Sequence, residues 1–502
     1  MRIGRIFALA ATLALGGFGS PSLAASPPAE AAPAARPADA DLPPLPADAS
    51  VKQSIRLGGK ALNYTARVGS LPVRDDKGKI IGEVVYTAYI LDGPRDPGRP
   101  VTFAFNGGPG AASVYLNLGA IGPKRVQFGA QGDTPSDSAA LSDNPYTWLD
   151  FTDLVFIDPI GTGFSRSRVS PEESKKAFFG VKQDIAYLSR IVYDWLLRNE
   201  RMTSPKYITG ESYGGFRGPR LTHYLQTELG VGINGVVLVS PFFDGTSWAG
   251  GDFSPIPWAM TLPSMAAAHY ERQGKALTPT LMAEVETYVR GEYLTDFMKG
   301  RTDQAALERM IQRVSGYTGL RPEIVREMGA RIDSRAFLRE LYRSEGRIGS
   351  WYDSNVTAWD PYPWSPTQRS GDPILDALIA PTTSAMVDFV TRVVGWKIEA
   401  RYNALSDAVN EAWEDELTTI ESVSAFRKAL ANDPKMKMLI VHGYDDLSCP
   451  YFVSRTVIDQ LPPMGDPGRV QLKVYPGGHM FYSRPDSGAA MRQDVKAMFG
   501  AG

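Results

Sequence analysis

Apolar and polar positions change their spacing along this chain, and the changes divide it into stretches. Before residue 210, short β-prone runs recur at Ser54–Leu57, Leu62–Val68, Ile80–Leu91, Val101–Phe105 and Leu154–Asp158. Ile80–Leu91 is long enough to form the antiparallel edge of a mixed sheet. From Ser174 to Arg198 the period lengthens: Val181, Ile185, Leu188, Val192, Trp195 and Leu196 recur at helix spacing. Tyr207-Ile208-Thr209 is again strand-like, Phe216 to Glu228 is an amphipathic helical pattern, and Val236–Val239 is a buried strand. Past about residue 250 strands become scarce, and helices are predicted around 279–299, 303–315, 321–329 and 335–344. Alternation resumes with strand Met438–Val441, helix Tyr451–Leu461, strand Val470–Tyr475 and a terminal helix near 488–499.

This order predicts an interrupted α/β domain. Residues 51–250 and 430–502 share one mixed central sheet, and residues 251–429 form a mostly helical insertion, a cap over the site. In such sheets ligands sit beyond the carboxyl ends of the strands, so an insertion there becomes a lid or a specificity wall. The aromatic and proline-rich stretch around Trp351, Tyr352, Trp359, Tyr362, Trp364 and Pro366 reads as a core-filling loop rather than a substrate surface.

The N-terminus follows another rule. Arg2 and Arg5 precede an apolar run, Ile6 to Phe18, too short for a comfortable membrane span, and Ser22-Leu23-Ala24 places small residues where a signal peptidase reads. Residues 1–24 are expected to be a signal peptide cut near Ala24, followed by a Pro/Ala-rich linker over 25–50. The exported product is then periplasmic or secreted. No later stretch approaches 18 consecutive apolar residues, so no stable membrane anchor is expected.

Composition narrows the function. With 43% hydrophobic and 22% charged residues the chain is an ordinary globular one, and a net charge of -2 with dispersed basic residues argues against a nucleic-acid partner. Cys449 is the single cysteine, which forbids an intramolecular disulfide, and it reads as a small buried hydrophobe.

Candidate chemistry centres on Gly210-Glu211-Ser212-Tyr213-Gly214. It lies between a strand and a helix, as a nucleophile elbow requires, and its glycines permit the sharp turn that projects the serine. Ser212 needs a base and an acid to orient that base. His479 follows the strand Val470–Tyr475 in a Gly-Gly loop, and Asp445 and Asp446 follow Met438–Val441. The order Ser, Asp, His is that of α/β-hydrolases. His223 lies in the elbow helix, His442 ends a core strand, and His269 falls in the insertion with no role assigned. The spacing of His442, Asp445, Asp446 and His479 fits no common zinc pattern, so neither metal nor cofactor is expected. Asn106-Gly107-Gly108-Pro109-Gly110 follows the strand Val101–Phe105, where glycine lets backbone N–H groups approach an oxyanion. The second donor is the N–H after the nucleophile, Tyr213.

These motifs together resemble the serine carboxypeptidases, α/β-hydrolases that trim single residues from peptide C-termini. Besides the two glycine-rich segments, Asn144-Pro145-Tyr146-Thr147-Trp148, the run Asp158 to Ser165, Gly443 to Pro450 and Gly478-His479-Met480 resemble family segments. The resemblance spans about 60–250 and 435–485 and weakens in the insertion. It implies Ser212 as nucleophile, His479 as general acid/base and Asp446, rather than Asp445, as the orienting acid. It implies Gly108 and Tyr213 as oxyanion donors, and Asn106, Gly107 and Glu211 as the substrate-binding residues that meet a peptide's terminal carboxylate. A glutamate meets a carboxylate only if one of the two is protonated, which favours acidic pH. Two family features are missing: Ala104 stands where a Trp is usual, and Ala120 where a second Glu is usual. The family's disulfides are absent as well, which suggests a bacterial-type member. The sequence thus implies a serine-type carboxypeptidase acting on peptides with a free C-terminus. An esterase or acyltransferase using the same triad is the alternative, and a noncatalytic peptide-binding protein a third reading. Asn63-Tyr64-Thr65 and Asn355-Val356-Thr357 are glycosylation sequons.

Overall fold

The computed structural model describes residues 43–94, 96–126, 135–136, 139–248, 253–365, 371–413, 415 and 417–500. The expected signal peptide over 1–24, most of the linker and Pro366 lie outside the described residues. A mixed sheet runs in the order Ala49–Leu57, Lys60–Arg74, Ile80–Leu91, Asp153–Ile157, Val101–Phe105, Lys206–Glu211, Gly235–Val239, Lys437–Gly443 and Val470–Tyr475. The pairings up to Ile80–Leu91 with Asp153–Ile157 are antiparallel, and those beyond are parallel. Ile80–Leu91 is therefore antiparallel but not an edge: Ala49–Leu57 and Lys60–Arg74 lie outside it. The outermost strand begins inside the segment read as linker: its second half is the β-prone run Ser54–Leu57, while its first half carries a polar, half-exposed pattern with no strand signal.

The strands alternate sides. Val101, Phe103 and Phe105, with Ile208, Val236, Leu238 and Ile440, face a core closed by helices Val181–Arg198, Tyr213–Thr227 and Val423–Asn432. Ala104, Leu154, Phe156, Val237, Val239, Leu439 and Val441 face the opposite core. That side is closed in part by helix Pro373–Asp388, its continuation Phe389–Val393, and the terminal helix Pro485–Met498. By length and composition Pro373–Val393 could cross a membrane, with 21 residues and mean hydropathy 1.3. Here Ile374, Leu378, Ala385, Met386, Phe389 and Val390 pack into the core.

Residues 251–429 accordingly divide. Helices Ile256–Arg272, Pro279–Tyr288, Leu294–Lys299, Gln304–Thr318, Pro322–Glu327 and Ser334–Glu340 build a separate apolar cluster. That cluster also takes in Tyr444, Leu447, Tyr451, Phe452 and Val453 from the returning chain. The later helices rejoin the faces of the sheet. Helix Val423–Asn432 straddles position 429 and buries Phe426, Ala429 and Leu430 against the sheet's own core.

Candidate active site

Ser212 caps the elbow helix with φ 60, ψ -123, a left-handed conformation that a non-glycine residue adopts only where its surroundings enforce it. Its N–H donates to Val239 O (3.0 Å), and its carbonyl accepts from Gly215 N (2.8 Å) and Phe242 N (3.1 Å). The flanking glycines are steric necessities. A Cβ on Gly210 would overlap Gly214 O, and one on Gly214 would overlap Phe105 O. A Cβ on Gly107 would press on Tyr213 N and on Ser212 Cβ, which shows how closely the Asn106–Gly110 turn approaches the nucleophile.

The two acids after strand Lys437–Gly443 part company. Asp446 Oδ2 lies 2.7 Å from His479 Nδ1, while its Oδ1 accepts from Ser448 N (2.8 Å) and Cys449 N (2.9 Å). Both oxygens are thus committed, which fixes the carboxylate and through it the imidazole. Burial opposes a charged His479, but the charge and hydrogen bond of Asp446, with a further hydrogen bond that His479 donates to Cys449, hold its proton affinity well above the ordinary histidine value. Cys449 is buried, as expected, yet it borders the site and touches His479. His442 donates to or accepts from Ser454 Oγ at 2.7 Å, and burial, with His479 nearby, pushes it down to about 3, so it stays neutral. His223 and His269 lie away from these groups, the first part-exposed on the elbow helix and the second against Gln273.

Asp445 turns towards the insertion. Its Oδ2 lies 3.2 Å from Asn355 Nδ2 and 3.8 Å from Arg484, and Glu271 hydrogen-bonds it. Arg484 also pairs with Glu271 and with Asp353 (2.9 Å), and Asp353 accepts Gly478 N (2.9 Å), the residue before His479. Three carboxyls thus surround one guanidinium. Burial, then the nearness of Glu271 and Asp353, push the Asp445 carboxyl well above the carboxylate range. Glu271 is held at about 2: burial works against its charge, but hydrogen bonds from Asp445, Arg484 and Asn355 prevail. The Asn355 side chain also donates to Ala268 O and Glu271, so this sequon is engaged in internal bonds.

A cavity of about 310 Å³ opens over the elbow, lined by Asn106, Gly107, Gly108, Glu211, Ser212, Tyr213 and His479. Its remaining wall is largely apolar and comes from several segments: Tyr115, Phe242, Trp248, Trp351, Tyr352, Leu375, Leu405 and Leu417 among others. The core-filling reading of the aromatic stretch therefore needs correction. Trp351 stacks on Trp248 at 5.8 Å, and Tyr352 meets His479 edge-on at 5.3 Å, both at the cavity. Trp359 and Trp364 are 72% and 78% exposed. An aromatic count says where ring area is available but not which way the backbone aims it.

Glu211 is buried, and Asn106 Nδ2 donates to its Oε2 at 2.9 Å. Tyr482 Oη donates to both carboxyl oxygens, at 3.0 and 2.9 Å. Burial raises the carboxyl to about 7, against the lowering effects of His479, Tyr482 and Asn106. Tyr482 escaped the sequence reading because three residues past a histidine in an irregular loop is not a motif. Ala104 and Ala120, the two family departures, are buried off the cavity wall. Among the described residues no cluster of His, Cys, Asp and Glu could hold a metal ion.

A mixed sheet with a serine elbow at the carboxyl end of a central strand, and an Asp–His pair at the ends of two later strands, defines an α/β-hydrolase. Residues 89–247 match the family model for serine carboxypeptidase. Serine carboxypeptidase 1 of Hordeum vulgare is 24% identical over 308 residues, 54% of this chain and 59% of that protein. Serine carboxypeptidase-like 9 of Arabidopsis thaliana is 26% identical over 189 residues, covering 34% of this chain and 41% of the relative. Less than two thirds of each relative's length is matched. In fold the chain is similar to Kex1Δp, a prohormone-processing carboxypeptidase from Saccharomyces cerevisiae, with a TM-score of 0.55 at 14% identity, covering 87% of this chain and 91% of that one. Over these parts of its length the chain is similar to the serine carboxypeptidases.

Proposed function

We propose that the protein is a serine-type carboxypeptidase that releases C-terminal residues from peptides through an acyl-enzyme on Ser212. The observation that carries this reading is Glu211: a carboxyl buried beside the elbow, bonded to Asn106 and raised to about 7. Below that pH it keeps a proton, and a protonated carboxyl can donate to a peptide's terminal carboxylate. Asn106 and Gly107 complete that contact. Ser212 Oγ attacks the carbonyl of the last peptide bond as the neutral form of His479 takes its proton, so attack draws on the unprotonated fraction of a histidine that Asp446 biases towards its charged form. Asp446 stabilises the imidazolium, and the Gly108 and Tyr213 N–H groups receive the oxyanion. The C–N bond then breaks, His479 returns the proton to the departing amine, and water deacylates Ser212 by the reverse relay. Residues 251–429 act as the cap, since Trp351, Tyr352, Leu375, Leu405 and Leu417 supply cavity wall. The chain is exported after cleavage near Ala24, which N-terminal sequencing of the mature product would check.

The test is a mass-spectrometric time course on an N-blocked peptide and its C-terminally amidated twin, with Ser212→Ala as control. Stepwise loss of single residues from the free-acid peptide, absent in the control, is expected. A second reading, an esterase or acyltransferase on the same triad, draws on Ala104 and Ala120, which leave the terminal-carboxylate contact with fewer groups. It is favoured if a fluorophosphonate labels Ser212 while neither peptide is shortened.

A further inference from the structure

Ala120 contributes no second carboxyl to Glu211, and the groups that face Glu211 are different ones. Tyr482 comes from the short turn Phe481–Ser483, just after His479, and its hydroxyl bridges both oxygens of Glu211. Asn106 holds Oε2 from the other side. Tyr115, on the cavity wall, lies within the electrostatic reach of the same carboxyl, as do His479 and Asp446. The Tyr482 ring is buried, and Phe481 and Tyr482 pack edge-to-face at 5.8 Å, so the hydroxyl has little freedom to leave.

We infer that Tyr482 is a positioning residue for recognition of the substrate's terminal carboxylate: its bridging hydroxyl holds the Glu211 carboxyl in one plane and sets the balance between its protonated and ionised forms. This rests on the role proposed above for Glu211. A phenol O–H can only favour the ionised form of the oxygens to which it donates, because an anion accepts hydrogen bonds more strongly than a neutral acid. Tyr482 therefore works against the burial that raises Glu211, alongside His479 and Asn106. In this chain the Glu211 carboxyl is bonded by one phenol and one amide, not by a second acid. Removing the phenol should let Glu211 keep its proton further into the alkaline range. The net strength of one such bond corresponds to a displacement of about half a unit to one unit. On the alkaline limb that is roughly a three- to tenfold rise in the protonated fraction.

The experiment has two arms on the full mature chain, wild type against Tyr482→Phe, a substitution that keeps the ring and its packing. In the first, difference infrared spectroscopy follows the protonated carboxyl band of Glu211, identified as the band lost in Glu211→Gln. Its midpoint is expected to move up in Tyr482→Phe, and an unmoved or lowered midpoint overturns the proposal. In the second, KM and kcat are measured against pH for a free-acid peptide and for a neutral ester of the same acyl group. The rise of KM with pH should come later in the variant for the free acid, with the ester profiles superimposable. An equal displacement for both substrates would show a general disturbance of the site and overturn the positioning role. If the wild type shortens no peptide, the proposed function fails, and the infrared midpoint still decides what Tyr482 does to Glu211.

Discussion

At the scale of single residues, the elbow and the Asp–His pair were legible because each is announced locally: a serine between glycines after a strand, and a histidine and an aspartate just past later strands. The choice of Asp446 over Asp445 came from the family resemblance and not from local spacing, because neighbouring residues in a turn aim in directions that only the turn decides. The glycines are the most constrained positions. Gly210→Ala would drive a methyl group into the backbone of Gly214, and a cost of about 1–3 kcal/mol is expected in denaturant unfolding, with loss of activity exceeding it because Ser212 is displaced. Glu211 carries the pH dependence. Its folded value of about 7 lies above the ordinary 4.5 of a free glutamate, so its contribution to stability is complete below 4.5 and is lost as pH rises through 7. The loss is on the order of 3 kcal/mol. Glu211→Gln should flatten the fall in melting temperature between those limits; a variant that tracks the wild type would mean that Glu211 ionises freely in the folded protein.

At the scale of elements, the central strands were legible and two long helices were not. Ile256–Arg272 contains Pro257 and Pro263, and Pro373–Asp388 contains Pro381 and is apolar on most sides, so neither shows the spacing that marks a half-buried helix. The stretch Ser174 to Arg198 is two helices, Pro171–Phe178 and Val181–Arg198, because Gly180 is extended between them. The contact of greatest consequence between elements is the cluster of Asp445, Glu271, Asp353 and Arg484, which ties helix Ile256–Arg272 to the His479 loop. Asp445 binds its proton more tightly in the folded state, so its contribution is present at low pH and is lost as pH rises through its elevated folded value. Asp445→Asn supplies a donor that cannot dissociate. It should lose less melting temperature than the wild type on the alkaline side, and equal slopes would remove the proton from Asp445. Arg484→Met should leave Glu271 and Asp353 without their cation and cost about 3–5 kcal/mol in urea unfolding.

At the scale of the molecule, the division into two faces of one sheet and a separate cluster over 259–338 predicts unequal responses to damage. Phe389→Ala removes a ring that meets Tyr89 at 6.1 Å in the main core and should lower global stability by about 3–5 kcal/mol. Ile311→Ala opens a void in the insertion's own cluster and should raise hydrogen exchange there first, ahead of the sheet. The sheet has a further consequence, for how the chain is made. Gly235–Val239 pairs with Lys437–Gly443, and the chain between them is the whole insertion. At the usual pace of synthesis, roughly 5–20 residues per second, the second strand follows the first by tens of seconds. Through that interval a fully apolar strand stands at the open edge of a half-built sheet, with the nucleophile already turned out and its histidine not yet made. A nascent chain stalled within the insertion would therefore be adhesive and inert at once, and a holding chaperone would find its binding site along Gly235–Val239.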